Sequence, residues 1–235
     1  MDIAGKKALV FGGTSGIGLA AASQLVERGA TVVAASRNPD RAGDPPPGVT
    51  FTSCDVRDEA AVAKLCAETA PYDILINAAT GGDRAVGPFL EMDMAGYRGS
   101  FNKLWGYANA VRFGAEFLPP DGCIVLVSGA PARRKKPGQI SLASVGGAVE
   151  AFVRGLAPEI APRRINVVSP GFIDTPMFGP AGSERTAAVN ERSAGHIIPR
   201  GGAPDEVAMA IIFLIENDFV TGTTVDVDGG WLLSG

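Results

Sequence analysis

Short apolar runs alternate with segments of helical periodicity along the whole of this chain. The first run, residues 8–11, precedes a glycine-rich turn and a segment over residues 19–28 whose apolar side chains fall on one helical face. Runs this short and this apolar are typical of parallel strands that helices cover on both faces. The pattern therefore predicts one α/β domain over residues 1–235: a single-domain Rossmann-type fold with a doubly wound parallel sheet of about seven strands and helices on both faces.

The predicted elements follow one another with two interruptions. Strands are predicted at residues 8–11, 31–35, 49–52, 73–77, 124–127, 165–168 and 224–227. Helices are predicted at residues 19–28, from 58 onward, and at 101–117, 141–157 and 204–215. Residues 38–48 hold four prolines, which fix φ and remove hydrogen-bond donors, so we expect a short surface connection there. A long polar segment is expected after Pro170-Gly171.

Charge and cysteine content exclude several classes of function. The formal net charge of −4 disfavours nonspecific nucleic-acid binding. No apolar run is long enough for a membrane span, and we expect no secretory signal at the N-terminus. The cysteines are too few and too far apart for a disulfide framework or a zinc site, so we expect free thiols, a cytoplasmic protein and no metal. The basic cluster at residues 133–136 is interpreted as a solvated loop.

The glycine-rich turn after the first strand is typical of a phosphate-binding site. Gly12, Gly16 and Gly18 leave the backbone bare where a strand passes into a helix. The free N–H groups and the positive dipole end of that helix then favour a pyrophosphate. A glycine-rich turn without a ligand is the alternative interpretation, because glycines alone are a weak signal.

Six ordered blocks make the chain resemble the short-chain dehydrogenase/reductase family from end to end. The family's TGxxxGIG turn is similar to residues 12–18, with Phe11 in place of the usual threonine, and its D-x-L-V-N-N-A-G strand is similar to residues 73–79. The blocks at residues 54–56, 165–171, 199–201 and 225–230 also resemble family motifs. The resemblance implies a nicotinamide dinucleotide cofactor, a small-molecule substrate and a homo-oligomer, either a dimer or a tetramer.

The turn and the resemblance together imply a set of cofactor-binding positions. In the family, an aspartate matching Asp55 binds the adenine amine, and positions matching Ile173 and Thr175 hold the nicotinamide carboxamide. The full implied set is Gly12, Thr14, Ser15, Gly16, Ile17, Gly18, Ser36, Arg37, Asn38, Asp55, Val56, Asn77, Ala78, Ala79, Pro170, Gly171, Ile173 and Thr175.

The end of the second predicted strand indicates NADP(H) as the cofactor. An NAD-selective site places an acid there for the ribose 2′-OH, but this chain has no acid before Asp40. Arg37 could instead pair with a 2′-phosphate, and the missing carboxylate removes a repulsion against it. A solvated surface arginine is the alternative interpretation of Arg37.

The family's catalytic tyrosine and lysine have no counterparts in this sequence. Four residues after each of the three tyrosines stand Ile76, Phe101 and Val111, so no Y-x-x-x-K exists. The resemblance puts Leu142 at the tyrosine position and Gly146 at the lysine position. Gly129 falls on the catalytic serine, with Ser128 one residue earlier and therefore on the opposite face of the strand unless the backbone has already turned.

Lys103 and Ser128 are the remaining candidates for catalysis. Lys103 matches the family's asparagine on the long helix, although a register shifted by one residue would place Asn102 or Leu104 there. A lysine desolvated at this position would have a lowered pKa. A snorkelling surface lysine is the alternative. His196, in the polar segment, is a weaker candidate and is interpreted first as polar surface.

Gly146 and Gly147 lie early in a predicted helix, where each costs about 1 kcal/mol relative to alanine. Two explanations remain open at this point. The glycines either enlarge a pocket beside the nicotinamide or allow close packing between helices.

The sequence favours an atypical NADPH-dependent oxidoreductase that transfers a hydride to a small carbonyl- or imine-type substrate with a non-standard proton donor. Loss of the family's catalytic residues favours an alternative, a catalytically silent NADP(H)-binding sensor or partner protein. A nonredox enzyme in the same pocket is a third possibility.

Overall fold

The computed structural model describes residues 1–80, 84–134 and 136–234, and it contains one parallel sheet between two layers of helices. The strands are β1 (Lys7–Phe11), β2 (Thr31–Ser36), β3 (Val49–Ser53), β4 (Ile74–Asn77), β5 (Cys123–Val127), β6 (Arg164–Pro170) and β7 (Thr224–Val227). The helices are α1 (Gly16–Glu27), α2 (Glu59–Thr69), α3 (Met94–Ser100), α4 (Asn102–Gly114), α5 (Ile140–Ile160), α6 (Ser183–Ser193) and α7 (Pro204–Glu216).

The sheet has the order β3-β2-β1-β4-β5-β6-β7, and every neighbouring pair is parallel. Strands β2 and β3 lie on one side of β1, and β4 to β7 lie on its other side. This reversal of the strand order opens a crevice at the carboxyl ends of β1 and β4, which is where doubly wound sheets bind ligands. The predicted fold class is confirmed.

Alternation along the strands builds two hydrophobic cores. In β1, Ala8 and Val10 pack beneath α1 and α7, whereas Leu9 and Phe11 pack beneath α2, α4 and α5. All four side chains are fully buried. This arrangement explains why residues 8–11 are all apolar: each face of the sheet lies against helices.

The connection at residues 38–48 is short, as predicted, and contains only a 3-10 turn at Pro39–Ala42. Two helices were not predicted. The sequence of α3 contains Gly96 and Gly99, which disfavour helix, but the Asp93 carboxylate caps it by accepting bonds from Ala95 N and Gly96 N.

The second helix that was not predicted, α6, lies in the segment that was expected to be long and polar. It is mostly polar, and Val189 and Ser193 are its only buried residues. With so few apolar positions, periodicity gives little helix signal.

Cys54, Cys66 and Cys123 are all buried free thiols, as expected. Burial raises the pKa of Cys54 and of Cys123 to about 11, so both are poor nucleophiles at neutral pH. No helix within the described ranges is both long and apolar enough to cross a membrane. Those ranges also contain no group of His, Cys, Asp and Glu side chains that could hold a metal ion.

Candidate functional site

Two cavities adjoin in the crevice at the carboxyl ends of the strands. The first, here called the turn cavity, is lined by the glycine-rich turn, by Ser36 at the end of β2, by Arg37 after it, and by Val56. The second, here called the inner cavity, is lined by Lys103 and Ser128 among others. The residues that line both cavities are Ile17, Ala78, Thr80, Thr175 and Met177. A ligand can therefore extend from one cavity into the other.

The glycine-rich turn is packed so tightly that side chains are excluded at two of its glycines. Gly12 has a φ of +74°, and a Cβ there would lie 2.5 Å from Ala79 N. A Cβ on Gly18 would lie 2.1 Å from the Gly12 carbonyl oxygen. These contacts bring the N-terminus of α1 against the ends of β1 and β4.

The N-terminus of α1 is open to an anion. Ser15 is the N-cap residue, yet its side chain makes no capping hydrogen bond, and the first turn contains no acidic residue. The unpaired N–H groups and the helix dipole therefore face the turn cavity. Thr14, which is buried, lines the same cavity.

The far end of the turn cavity is suited to a phosphate on a ribose. The Ser36 hydroxyl is buried and has no hydrogen-bond partner within the described residues, and the exposed Arg37 stands next to it. No aspartate or glutamate of the described ranges lines this cavity. Asn38 does not line it, because the chain turns away there into the 3-10 turn.

The Asp55 carboxylate forms an ion pair with Arg57, two residues later in the chain. Arg57 donates to both carboxylate oxygens of Asp55, with one N–O distance of 2.6 Å, and this holds the pKa of Asp55 below its usual range. Val56 and Cys54 line the turn cavity on either side of Asp55, which does not. An adenine in this cavity would therefore contact the side chains of Cys54 and Val56.

Asn77 at the end of β4 connects the sheet to α4. It is fully buried, donates from Nδ2 to the Gly106 carbonyl at 3.2 Å and accepts from Ala79 N at 3.0 Å. Ala78 N in turn donates to the Phe11 carbonyl at 2.9 Å. Asn77 thereby shapes the loop at residues 78–80, which borders both cavities.

Lys103 reaches the inner cavity from the first turn of α4. Its Nζ donates to the Ser128 carbonyl at 3.0 Å and lies 5.5 Å from the centre of the Tyr107 ring. Burial, and next the nearby Arg84 guanidinium, lower the pKa of Lys103 to about 7. The interpretation of Lys103 as a snorkelling surface lysine is therefore wrong.

Ser128 lines the inner cavity, but its hydroxyl is already engaged. Its Oγ donates to the Gly146 carbonyl at 3.1 Å, so the hydroxyl proton is directed at α5. Ser128 N donates to the Val168 carbonyl, which keeps it in register with β6. Its main contribution to the cavity is the backbone carbonyl that holds Lys103.

All three tyrosines lie in described parts of the chain, and none lines the inner cavity. Tyr72 and Tyr107 are fully buried and donate to the carbonyls of Gly114 and Val127. Tyr97 on α3 is hydrogen-bonded to Ser144 on α5. Leu142, at the position of the family's tyrosine, lines the inner cavity with an apolar side chain.

The structure separates the two explanations left open for the glycine pair. A Cβ on Gly146 would lie 2.8 Å from the Ala132 Cβ and 3.2 Å from Ser128 Oγ, whereas a Cβ on Gly147 would meet nothing within 4 Å. Gly146 therefore permits close packing. Any side chain at Gly146, including the lysine that the family carries at this position, would press on Ala132.

Gly146→Ala is expected to lower the free energy of unfolding by about 1–3 kcal/mol, because the new methyl overpacks against Ala132. Gly147→Ala is the matched control on the same helix. It is expected to be neutral or to stabilise by up to about 1 kcal/mol, since its methyl has open space. Urea denaturation of both variants measures this, and equal shifts in the two would contradict the packing at Gly146.

The remaining residues implied for cofactor binding lie along the border between the cavities. Pro170, Gly171 and Ile173, which follow or end β6, line the inner cavity. Thr175 is buried and lines both cavities, with its methyl beside Gly16. These positions surround the place where the two cavities meet.

Among the described residues that line the inner cavity, Arg84 is the one charged residue that sequence reasoning missed. It follows β4 on an otherwise irregular stretch and contacts the Met177 sulfur at the rim. Burial lowers the pKa of Arg84, although it stays protonated. The sequence around Arg84 does not predict that it lines this cavity, because no motif or periodicity links it to Lys103.

His196 is not polar surface, contrary to expectation. It is 8% exposed and stacks on the rings of Phe172 and Trp231, with centroids 5.8 and 5.5 Å away. Burial lowers its pKa. Phe172 and Trp231 line the inner cavity but His196 does not. His196 therefore packs against the cavity-lining rings and does not face the cavity itself.

The basic cluster at residues 133–136 is also not simply a solvated loop. Arg133 is ion-paired with Asp226 and with the buried Glu150, the latter at 3.3 Å. Arg134 donates to the Ser234 carbonyl. Lys135 lies outside the described residues, and Lys136 is exposed. Two of the four residues thus tie the segment to the C-terminal part of the fold.

Comparison with known proteins identifies the family. A family model described as "Enoyl-(Acyl carrier protein) reductase" matches residues 12–232. A "Short-chain dehydrogenase/reductase ATR9" of Stachybotrys chlorohalonatus is 31% identical, covering 98% of each chain. The chain belongs to the short-chain dehydrogenase/reductase family.

Other members of the short-chain dehydrogenase/reductase family are similar to this chain over nearly their whole length. Carbonyl reductase family member 4 of Danio rerio is 34% identical, covering 95% of this chain and 96% of that protein. The 3-oxoacyl-[acyl-carrier-protein] reductase of Vibrio harveyi is 31% identical, covering 98% of both. A small-chain dehydrogenase solved in complex with NADPH superposes with a TM-score of 0.82 at 29% identity, covering 98% of this chain and 100% of that one.

Proposed function

We propose that this short-chain dehydrogenase/reductase is an NADPH-dependent oxidoreductase of small carbonyl- or imine-type substrates, and that it works without the family's Ser-Tyr-Lys set. Lys103 replaces that set as the proton donor. The observation that carries the proposal is the position of Lys103: a lysine with a pKa near neutrality in the cavity that adjoins the glycine-rich turn.

NADP(H) fits the turn cavity. The open N-terminus of α1 suits the pyrophosphate, and the unpaired Ser36 hydroxyl with Arg37 suits the 2′-phosphate. The similar small-chain dehydrogenase holds NADPH on the same fold. When bound, the cofactor supplies the hydride, and the protein supplies orientation and a proton.

In this proposal the reduction balances one hydride and one proton. The substrate carbon gains the hydride while its C=O or C=N double bond becomes single, and Lys103 Nζ gives a proton to the oxygen or nitrogen. Lys103 then regains its proton from solvent. The Ser128 carbonyl positions Lys103 by accepting from it, so Ser128 acts as a positioning residue through its backbone.

A catalytically silent NADP(H)-binding protein is the second candidate. The observation in its favour is that Leu142 and Gly146, an apolar side chain and a bare backbone, line the cavity where the family carries its tyrosine and lysine. Such a protein would bind the cofactor in the same turn cavity and leave it unchanged.

The deciding experiment is turnover with a panel of aldehydes, ketones and cyclic imines in the presence of NADPH. We expect loss of the NADPH absorbance together with stoichiometric alcohol or amine identified by mass spectrometry. The control for contaminating reductases is a preparation made in the same way from cells that do not express this protein. If NADPH binds but no member of the panel is reduced above that control, the silent alternative is favoured.

A further inference from the structure

We propose that the inner cavity takes substrates carrying a carboxylate or equivalent anion next to an apolar body, with Arg84 and Lys103 binding the anion. The inference names the substrate class for the proposed reductase site and rests on that function for its catalytic consequence. The recognition itself stands on the placement of charge in the cavity.

Among the described residues, two cations line this cavity and no acid does. Lys103 and Arg84 both line it, and no aspartate or glutamate within residues 1–80, 84–134 and 136–234 does. Arg84 forms no ion pair with those residues, and its guanidinium contacts the neutral sulfur of Met177. Two partly desolvated like charges repel one another, so the cavity favours an anion between them.

Arg84 belongs to the substrate side of the crevice. It lines the inner cavity and not the turn cavity, where the cofactor's phosphates would lie. The open N-terminus of α1 and Arg37 already provide for those phosphates. Arg84 is therefore available for a charge on the substrate.

The other lining residues of the inner cavity suit an apolar body. Phe172 and Trp231 pack with ring centroids 4.7 Å apart, and Leu142 and Val145 add aliphatic surface from α5. Phe178 continues the aromatic wall beside Phe172. A small oxo acid with an aromatic or branched side chain matches this division between a cationic and an apolar wall.

An anion in this position would also prepare the proton donor. The groups that face Lys103 are Arg84, the Tyr107 ring and the Ser128 carbonyl, and only Arg84 shifts its pKa through charge. A carboxylate between the two cations would offset that repulsion and raise the pKa of Lys103. Above pH 7, binding would then draw a proton from solvent onto Lys103.

The test uses a matched pair of unreactive probes, phenylpropanoate and phenylpropanamide, titrated into the NADP⁺-saturated protein by calorimetry. We expect the carboxylate to bind about 10-fold or more tightly than the amide. Arg84→Met should remove that preference, Arg84→Lys should retain part of it, and Arg98→Met, an exposed arginine of α3 outside the cavity, should leave it unchanged.

A second readout is proton uptake, measured at pH 8 in two buffers with different ionisation heats. The carboxylate should bind with net uptake of protons, and Lys103→Met should abolish that uptake. Equal affinity for the two probes, or no detectable binding of the carboxylate, would overturn the inference. If the preference holds but NADPH reduces neither phenylpyruvate nor any member of the panel of aldehydes, ketones and imines, the proposed reductase function fails and the anion site stands. If neutral ketones are reduced and the preference is absent, only the anion site fails.

Discussion

Replacing Lys103 with methionine is expected to lower kcat for NADPH-dependent reduction by about 10²–10⁴, the usual contribution of a general acid. Methionine keeps most of the length of the side chain and removes the ammonium group that lies 5.5 Å from the centre of the Tyr107 ring. Cofactor affinity should change little, because Lys103 does not line the turn cavity. Steady-state kinetics and an NADPH fluorescence titration on the same preparations measure both effects.

The pH profile provides a test that a merely structural role would not pass. A proton donor must be protonated, and the pKa of Lys103 in the ligand-free protein is lowered to about 7, so kcat/KM should be maximal below pH 7 and fall as pH rises above it. Lys103→Arg keeps the positive charge but cannot release a proton near neutrality. It should lose kcat/KM without the fall around pH 7. Turnover of Lys103→Met within a few-fold of the parent would exclude Lys103 from the chemistry.

NADPH is expected to bind much more tightly than NADH, and Arg37→Ala should remove about 10- to 100-fold of that preference. The estimate corresponds to the loss of charge-assisted hydrogen bonds, worth about 1.5–3 kcal/mol, between the guanidinium and the 2′-phosphate. NADH has no 2′-phosphate, so its affinity should stay the same. Fluorescence titrations of both cofactors measure the two constants.

Arg41→Ala is the control for a general effect of surface charge. Arg41 is exposed in the 3-10 turn at Pro39–Ala42, close to Arg37 in the chain, but it does not line the turn cavity. It should shift NADPH affinity far less than Arg37→Ala. Equal affinities of the parent protein for the two cofactors would show that the assignment of the 2′-phosphate to Ser36 and Arg37 is wrong.

Predictions from local pattern succeeded where a single strand or helix determines the outcome. Composition and spacing predict the succession of strands along the chain and the packed turn at Gly12 and Gly18. They also predict that residues 38–48 form a connection without a full helix. Helices α3 and α6 did not, because a carboxylate cap stabilises one and tertiary contacts of a few residues stabilise the other. Neither leaves a strong period in the sequence.

The sequence by itself determined that this chain builds a doubly wound parallel sheet with a phosphate-binding turn, and that no Y-x-x-x-K pair exists anywhere in it. Those properties depend on residue type and short-range spacing. Only the tertiary structure decided that Lys103 and Arg84 share one cavity, that the Ser128 hydroxyl turns to α5, and that Gly146 lies against Ala132. Each of these contacts joins separate elements. The direction of a side chain between elements follows from how the layers pack, which no local period records.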